Sequence, residues 1–254
     1  MIAADAAAIL ARGWRSHGEI RKKGVIDLVT DFDLASEALI RERLGKSFPE
    51  HGIVAEEGRD TPSGDWIWYV DPLDGTTNFA HGHPFYCVSL ALCERGEPRV
   101  GVIAAPALGM TWAGAHGEGA TRNREPCRVS DTLTLDDALC ATGFPYDRRT
   151  SDENNFREFG AFKLRTQGVR RCGSAAIDLA LVADGTYDAY WEQKLQPWDL
   201  AAGALFVREA GGIVTDYDGT AADVRTGRLV ATNGHVHAET LSLLTATRAG
   251  TPPP

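Results

Sequence analysis

Apolar residues Ile2, Ala6, Ile9, Leu10 and Trp14 recur at helical spacing at the start of the chain and predict an amphipathic helix. A second helix is predicted from Asp33 to about Phe48, with Leu34, Ala38 and Leu44 inward. Ile53-Val54-Ala55 reads as a short strand ending in Glu56-Glu57-Gly58, and Trp66 to Val70 as a buried strand ending at Asp71. Both strands deliver carboxylates at their C-terminal ends. From Phe85 onward, the apolar runs Cys87 to Leu92, Val100 to Ala104 and Met110 to Ala115 alternate with turns such as Arg95-Gly96-Glu97-Pro98, which is the pattern of an antiparallel meander.

After about residue 135 strands and helices alternate. Strands are predicted at Ala138 to Thr142, Ile213 to Asp216 and Leu229 to Ala231. Helices are predicted near Asn154 to Leu164, Ser174 to Ala183 and Trp198 to Ala210. The expectation is a single domain over residues 1–248, with an α+β lobe to about 135 and an α/β lobe from about 136, and a frayed tail at 249–254.

Composition changes this picture mainly by exclusion. No apolar run approaches the roughly 20 residues of a membrane helix. The Ala-rich opening lacks a basic region and carries Asp5, so it reads as a helix rather than a secretory signal. The five cysteines, Cys87, Cys93, Cys127, Cys140 and Cys172, form neither a CxxC pair nor a zinc-like spacing, which fits reduced thiols in a cytoplasm. A formal charge of −9 argues against nucleic acid as the main partner. Acidity has another use: carboxylates converging on one point hold divalent cations, which in turn attract an anionic substrate.

Asp71 and Asp74 stand three residues apart across a strand end and a Pro-containing turn, so both carboxylates and the Leu73 carbonyl can face one point. Gly75-Thr76-Thr77 reads as a helix start with free amides suited to phosphate. The same turn is also compatible with ordinary Asx chemistry. Glu56-Glu57 is by itself an ordinary solvated strand end, and Trp198-Asp199 an ordinary helix start. Their combination is what points to chemistry.

Together these residues resemble the inositol monophosphatase family of magnesium-dependent phosphatases. The likeness runs through Asp27-Leu28-Val29-Thr30 with Asp33, Ala55-Glu56-Glu57, Trp68 to Phe79, and Pro197-Trp198-Asp199 with Glu209-Ala210-Gly211-Gly212 behind it. The resemblance implies a layered αβαβα sandwich, with the site between an α+β and an α/β lobe. It implies that Glu56, Asp71, the Leu73 carbonyl and Thr76 hold one metal, that Asp71, Asp74 and Asp199 hold another, and that the cofactor is roughly two or three Mg2+ ions. Asp33 would hydrogen-bond Thr76 in water activation, and Lys22 would lie near the outer metal shell. Asp74, Gly75 and Thr76, with Gly173, Ser174, Ala175 and Glu192, would bind the substrate. Lithium sensitivity and a homodimer are implied in the same way.

Ala55 departs from the Gly usual in the family, and Asp31 adds a carboxylate expected at the surface. His81 and His83 are expected to be structural or solvent-facing. The expected substrate is a small phosphorylated polyol, inositol monophosphate first, because Trp191-Glu192 resembles the aromatic-Glu pair of inositol-type members. Histidinol phosphate and fructose 1,6-bisphosphate are the alternatives, and the compact length disfavours a phosphoadenosine nucleotide. An aspartyl-phosphate phosphatase of the haloacid dehalogenase type needs one residue, not two, between its paired aspartates. A non-catalytic scaffold would have no reason to keep these carboxylates crowded.

Overall fold

The computed structural model describes residues 1–16, 20–22, 28–61 and 64–250. Asp27 of the first family-like segment and residues 251–254 of the expected tail lie outside the described residues. The first half contains α1 (Ile2–Gly13), β1 (Ile20–Lys22), β2 (Leu28–Thr30), α2 (Asp31–Ser47), β3 (Gly52–Ala55), β4 (Trp66–Asp74) and α3 (Thr76–Ala80). It continues through β5 (Cys87–Glu94), β6 (Glu97–Ala105), β7 (Met110–Ala115), β8 (Gly119–Arg122) and β9 (Glu125–Pro126). The second half contains β10 (Leu139–Thr142), α4 (Phe156–Arg165), β11 (Gly168–Arg170), α5 (Ala175–Ala183), β12 (Ala189–Glu192), α6 (Pro197–Glu209), β13 (Ile213–Thr215), β14 (Leu229–Thr232) and α7 (His237–Arg248).

A seven-stranded sheet runs in sequence order from β3 to β9, parallel only between β3 and β4, and contains the expected meander. A five-stranded mixed sheet has the order β11-β10-β12-β14-β13. Its first three strands are parallel, and β14 runs against both its neighbours. Three apolar cores bind these sheets into five layers. The first packs α1 and α2 on one face of the larger sheet through Leu10, Ile40, Leu44 and Val88. The second buries α5 and α6 between the sheets, and the third packs α4 and α7 outside the smaller sheet around Phe162, Trp191 and Leu244. The result is the expected α/β, αβαβα sandwich. No helix among the described residues is long and apolar enough to cross a membrane.

Three expectations are corrected. The strand expected to end at Asp71 continues to Asp74. In α2, Leu34 is 41% exposed and Ala38 is also exposed; only Leu44 of the three expected inward residues is buried. The buried face instead carries Asp33, Ser36, Glu37, Ile40 and Leu44. Its polar members are matched to backbone and hydroxyl groups below, so hydrogen bonding overrides the apolar pattern. The helix also starts at Asp31, where Thr30 and Asp33 form a capping box. Asp31 is exposed and pairs with Arg21 at 3.0 Å.

Candidate active site

The placement of Asp71 and Asp74 follows from one irregularity in β4. Asp71 pairs with Ser89 and Asp74 with Cys87, so three steps along β4 match two along β5. Side chains alternate along a regular strand, and residues three apart would point to opposite faces. The extra residue of the bulge restores both aspartates to one face. Asp71 Oδ1 accepts from Leu73 N at 2.9 Å, which braces the bulge. Gly75 then turns the chain into α3 at φ 91°; a Cβ there would meet the Phe85 carbonyl at 2.9 Å.

The polar face of α2 clamps this turn from beneath. Ser36 Oγ donates to Pro72 O at 3.0 Å, and Glu37 Oε2 accepts from Glu57 N at 2.8 Å. Asp33 is fully buried and accepts from Thr30 N at 2.8 Å through Oδ2; its Oδ1 lies 3.2 Å from Thr76 Oγ1. Thr76 Oγ1 is also 3.0 Å from Leu73 O, and its one proton can go to either. Burial pushes the Asp33 carboxyl up, while its bonds to Thr30 and Thr76 oppose that shift.

Two helix starts in the second half complete the cluster. Asp74 Oδ2 accepts from Ser174 Oγ at 2.6 Å and from Ala176 N at 2.8 Å, so it is tied to the N-terminus of α5. Asp199 is the third residue of α6, and its Oδ2 accepts from Gln196 N at 2.8 Å in a capping box. Ser89 Oγ donates to Trp198 O at 3.1 Å, pinning that helix start to β5. Asn78 Nδ2 bridges Phe85 O at 2.7 Å and Cys172 O at 2.8 Å, which joins the α3 turn to the segment leading into α5.

Asp71, Asp74 and Asp199 offer oxygens that all lie within 4.8 Å of one another. Burial first, then repulsion from Glu56, Asp74 and Asp199, pushes the Asp71 carboxyl well up. Burial and then Asp74 do the same to Asp199. Burial raises Asp74, against the bonds from Ser174 and Ala176. Like charges crowded away from water resist ionisation unless a cation joins them. The donors are hard oxygens, the set that magnesium takes. The residues therefore fit a divalent metal.

Glu56 is half-buried, lines the same cavity and raises Asp71 and Asp199 electrostatically, while lying outside the three-aspartate group. The cavity holds about 850 Å³ and is lined by Glu56, Asp71, Leu73, Asp74, Gly75, Thr76 and Asp199, and by Gly173, Ser174, Ala175 and Glu192. Asp33 lies behind Thr76. Lys22 is on β1, and its side chain lies outside the described residues. The Ser174 hydroxyl gives its proton to Asp74, so it holds a carboxylate in place. His81 and His83 are exposed, and His81 lies on the cavity rim.

Glu192 is the last residue of β12 and is only 7% exposed, unlike a solvated strand end. It accepts from Tyr190 OH at 2.5 Å, and burial pushes it up to about 7. Its carboxylate lies flat against Gly143, where a Cβ would come within 2.1 Å of both oxygens. Strand alternation sends Trp191 the other way, onto Phe162 at 3.8 Å between ring centroids, with Nε1 donating to Asn155 Oδ1 at 2.8 Å. Sequence reasoning missed Ser36, Glu37, Asn78 and Ser89. The spacing Asp33-x-x-Ser36-Glu37 on one helical face was the available signal for the first two.

Comparison with known proteins places this geometry among relatives. Residues 1–249 match the model of the inositol monophosphatase family. An inositol-1-monophosphatase of Synechocystis is 47% identical over 249 residues, covering 94% of this chain and 87% of its own. The Nus factor SuhB of Pseudomonas aeruginosa is 41% identical, covering 84% of this chain and 81% of its own. The structure of an inositol monophosphatase from Anabaena (Nostoc) superposes with a TM-score of 0.88 at 45% identity, covering 99% of this chain and 94% of that one.

Proposed function

The chain belongs to the inositol monophosphatase family, and from that premise we propose that it hydrolyses myo-inositol monophosphate to inositol and phosphate. It is a magnesium-dependent phosphomonoester hydrolase. The observation that carries the polyol reading is Glu192, a buried carboxylate lining the same cavity as the three-aspartate cluster. A carboxylate there accepts hydrogen bonds from substrate hydroxyls and is left unpaired by analogues that lack them.

Glu56, Asp71, the Leu73 carbonyl, Asp74, Thr76 and Asp199 would hold roughly two or three Mg2+ ions, with Lys22 near their outer shell. Bound there, magnesium supplies charge for the phosphate and leaving oxygens and lowers the pKa of water. The chain supplies orientation and proton handling. Thr76 Oγ1 gives its proton to Asp33 Oδ1, which leaves its lone pairs to accept from the attacking water. Glu56 accepts from the same water. The amides of Gly75 and Thr76 hold the phosphate, and Gly173, Ala175 and Glu192 hold the alcohol. Because the water attacks directly, no phosphoenzyme forms.

A homodimer in the cytoplasm is part of the same proposal and rests on the family resemblance. The test is hydrolysis of myo-inositol 1-phosphate, histidinol phosphate, fructose 1,6-bisphosphate and a phosphoadenosine nucleotide by purified protein with magnesium. The highest kcat/KM is expected on inositol phosphate; a clear preference for another of the four would reassign the substrate.

A further inference from the structure

Among the buried carboxylates of the described residues, Asp178 is the one with no partner. Asp33, Asp71, Asp74, Asp188, Glu192 and Asp216 each accept from a protein N–H or O–H. Glu37 accepts from Arg41 and Glu57 N, and Glu158 faces Arg248 at 3.8 Å. Asp178 is 2% exposed, and its Oδ1 is sealed from solvent without a donor. A buried carboxylate oxygen with no hydrogen bond is unfavourable in the free protein and calls for an explanation.

Its position supplies one. Asp178 lies one turn into α5, beyond the N-cap Ser174 that Asp74 grips, so it is held rigidly with respect to the three aspartates. It lines the same cavity as Glu192, and the charged groups that act on it are Glu192, Asp74 and Arg171. Glu192 already has the Tyr190 hydroxyl on one oxygen. Once a side-chain rotation turns the sealed Oδ1 to the cavity, a ligand bringing neutral O–H donors would satisfy Asp178, whereas one bringing another anion would be repelled by both acids.

We infer that Asp178 is a second hydroxyl-reading residue: beside Glu192, it accepts a hydrogen bond from a hydroxyl of the alcohol moiety. This rests on the reading of the substrate as a polyol phosphate. Two acceptors fixed on separate elements, α5 and β12, read the relative placement of two hydroxyls, which a single carboxylate does not.

The experiment uses the magnesium-loaded protein with myo-inositol 1-phosphate, its monodeoxy analogues and 4-nitrophenyl phosphate. Asp178→Ala should lose roughly ten- to hundredfold in kcat/KM on inositol phosphate, mainly through KM, and several-fold less on the aryl phosphate. Asp178→Asn keeps the shape and serves if the alanine variant folds poorly. One deoxy analogue should cost the native protein a similar factor and cost Asp178→Ala almost nothing, because residue and hydroxyl then belong to one interaction. Equal losses on inositol and aryl phosphate, or additive losses for every deoxy analogue, overturn the role of Asp178. If the native protein itself shows no preference for inositol phosphate over the aryl ester, the polyol reading falls and this inference falls with it. If the native protein shows the preference and Asp178→Ala keeps it, only the inference falls.

Discussion

The cavity is lined by two groups of acids, and they accommodate their charge differently. Asp71, Asp74 and Asp199 face one another within 4.8 Å. The donors they receive, from Leu73 N, the Cys87 thiol, Ser174, Ala176 N and Gln196 N, are neutral. Their mutual repulsion therefore remains until a cation enters. Glu192 and Asp178 come from separate elements, β12 and α5, and Glu192 carries a tyrosine hydroxyl. That group is suited to neutral donors. Burial raises carboxylate pKa values in both groups, and it is the number of facing acids that supports reading one as a metal site and the other as a hydroxyl site.

The largest expected effect comes from removing metal. Chelation should abolish phosphomonoester hydrolysis, and magnesium should restore it. The folded-state pKa values of Asp71, Asp199 and Glu192 are raised, so at these sites the folded metal-free protein binds more protons than the unfolded chain. Its stability should therefore fall as pH rises above the ordinary carboxylate range, for Glu192 between about 4.5 and about 7. Thermal melts of chelated protein should show that fall, and saturating magnesium should flatten it at the aspartates. A metal-free melt that rises across this range would break the comparison.

Next comes Asp199→Asn, expected to cut kcat by about a thousandfold or more because a proposed metal ligand is lost without emptying a core. The same change removes one of the facing charges. It should raise the melting temperature of chelated protein while shrinking the rise produced by magnesium. Asp74→Asn should be as inactive and gain less stability, because its carboxylate also holds Ser174 and Ala176 N. Steady-state kinetics and melts with and without metal separate the two outcomes.

The Glu192 group should respond by a smaller factor and selectively. Glu192→Gln is expected to cost about 1.5–3 kcal/mol on inositol phosphate and much less on an aryl phosphate. Gly143→Ala tests the same carboxylate without replacing it, since the added methyl would displace both Glu192 oxygens. It should reproduce the substrate-selective loss. Equal effects on both substrates would remove the reason for preferring a polyol phosphate.

The two groups were also unequally legible. The proposed metal-ligand group was readable because Asp71-Pro72-Leu73-Asp74-Gly75-Thr76-Thr77 packs strand, bulge and helix start into consecutive residues. The bulge itself was not readable: only pairing with Ser89 and Cys87 reveals the extra residue. Glu192 was reached through its neighbours in sequence, whereas Asp178 was not singled out, because an acid near a helix start looks like ordinary dipole chemistry. The inward face of α2 was misread for a related reason, since Asp33, Ser36 and Glu37 are buried as hydrogen-bonding groups and not as apolar ones. Helix α7 escaped notice because its buried stripe includes Thr240 and Thr247, whose hydroxyls donate back to Val236 O at 2.8 Å and Leu243 O at 2.7 Å.

The smallest expected effect sharpens the comparison at its edge, where two adjacent acids leave β3 and only one is proposed to serve the metals. Both lie in the bend that follows β3, and of the two only Glu56 lines the cavity. Glu56 lines it and acts electrostatically on Asp71 and Asp199. Glu57 is anchored through its backbone, with its N–H donating to Glu37 Oε2 at 2.8 Å while Arg41 Nε donates to Glu37 Oε1 at 2.7 Å. Glu57→Gln leaves that backbone bond and the direction of Glu56 unchanged. Turnover should therefore fall by less than about threefold, whereas Glu56→Gln should lose orders of magnitude. Glu37→Gln should lie between them, because weakening the acceptor for Glu57 N loosens the backbone that aims Glu56, an indirect effect of roughly tenfold. Kinetics of the three variants at saturating magnesium check the order. A Glu57→Gln loss equal to that of Glu56→Gln would reverse the assignment within the pair.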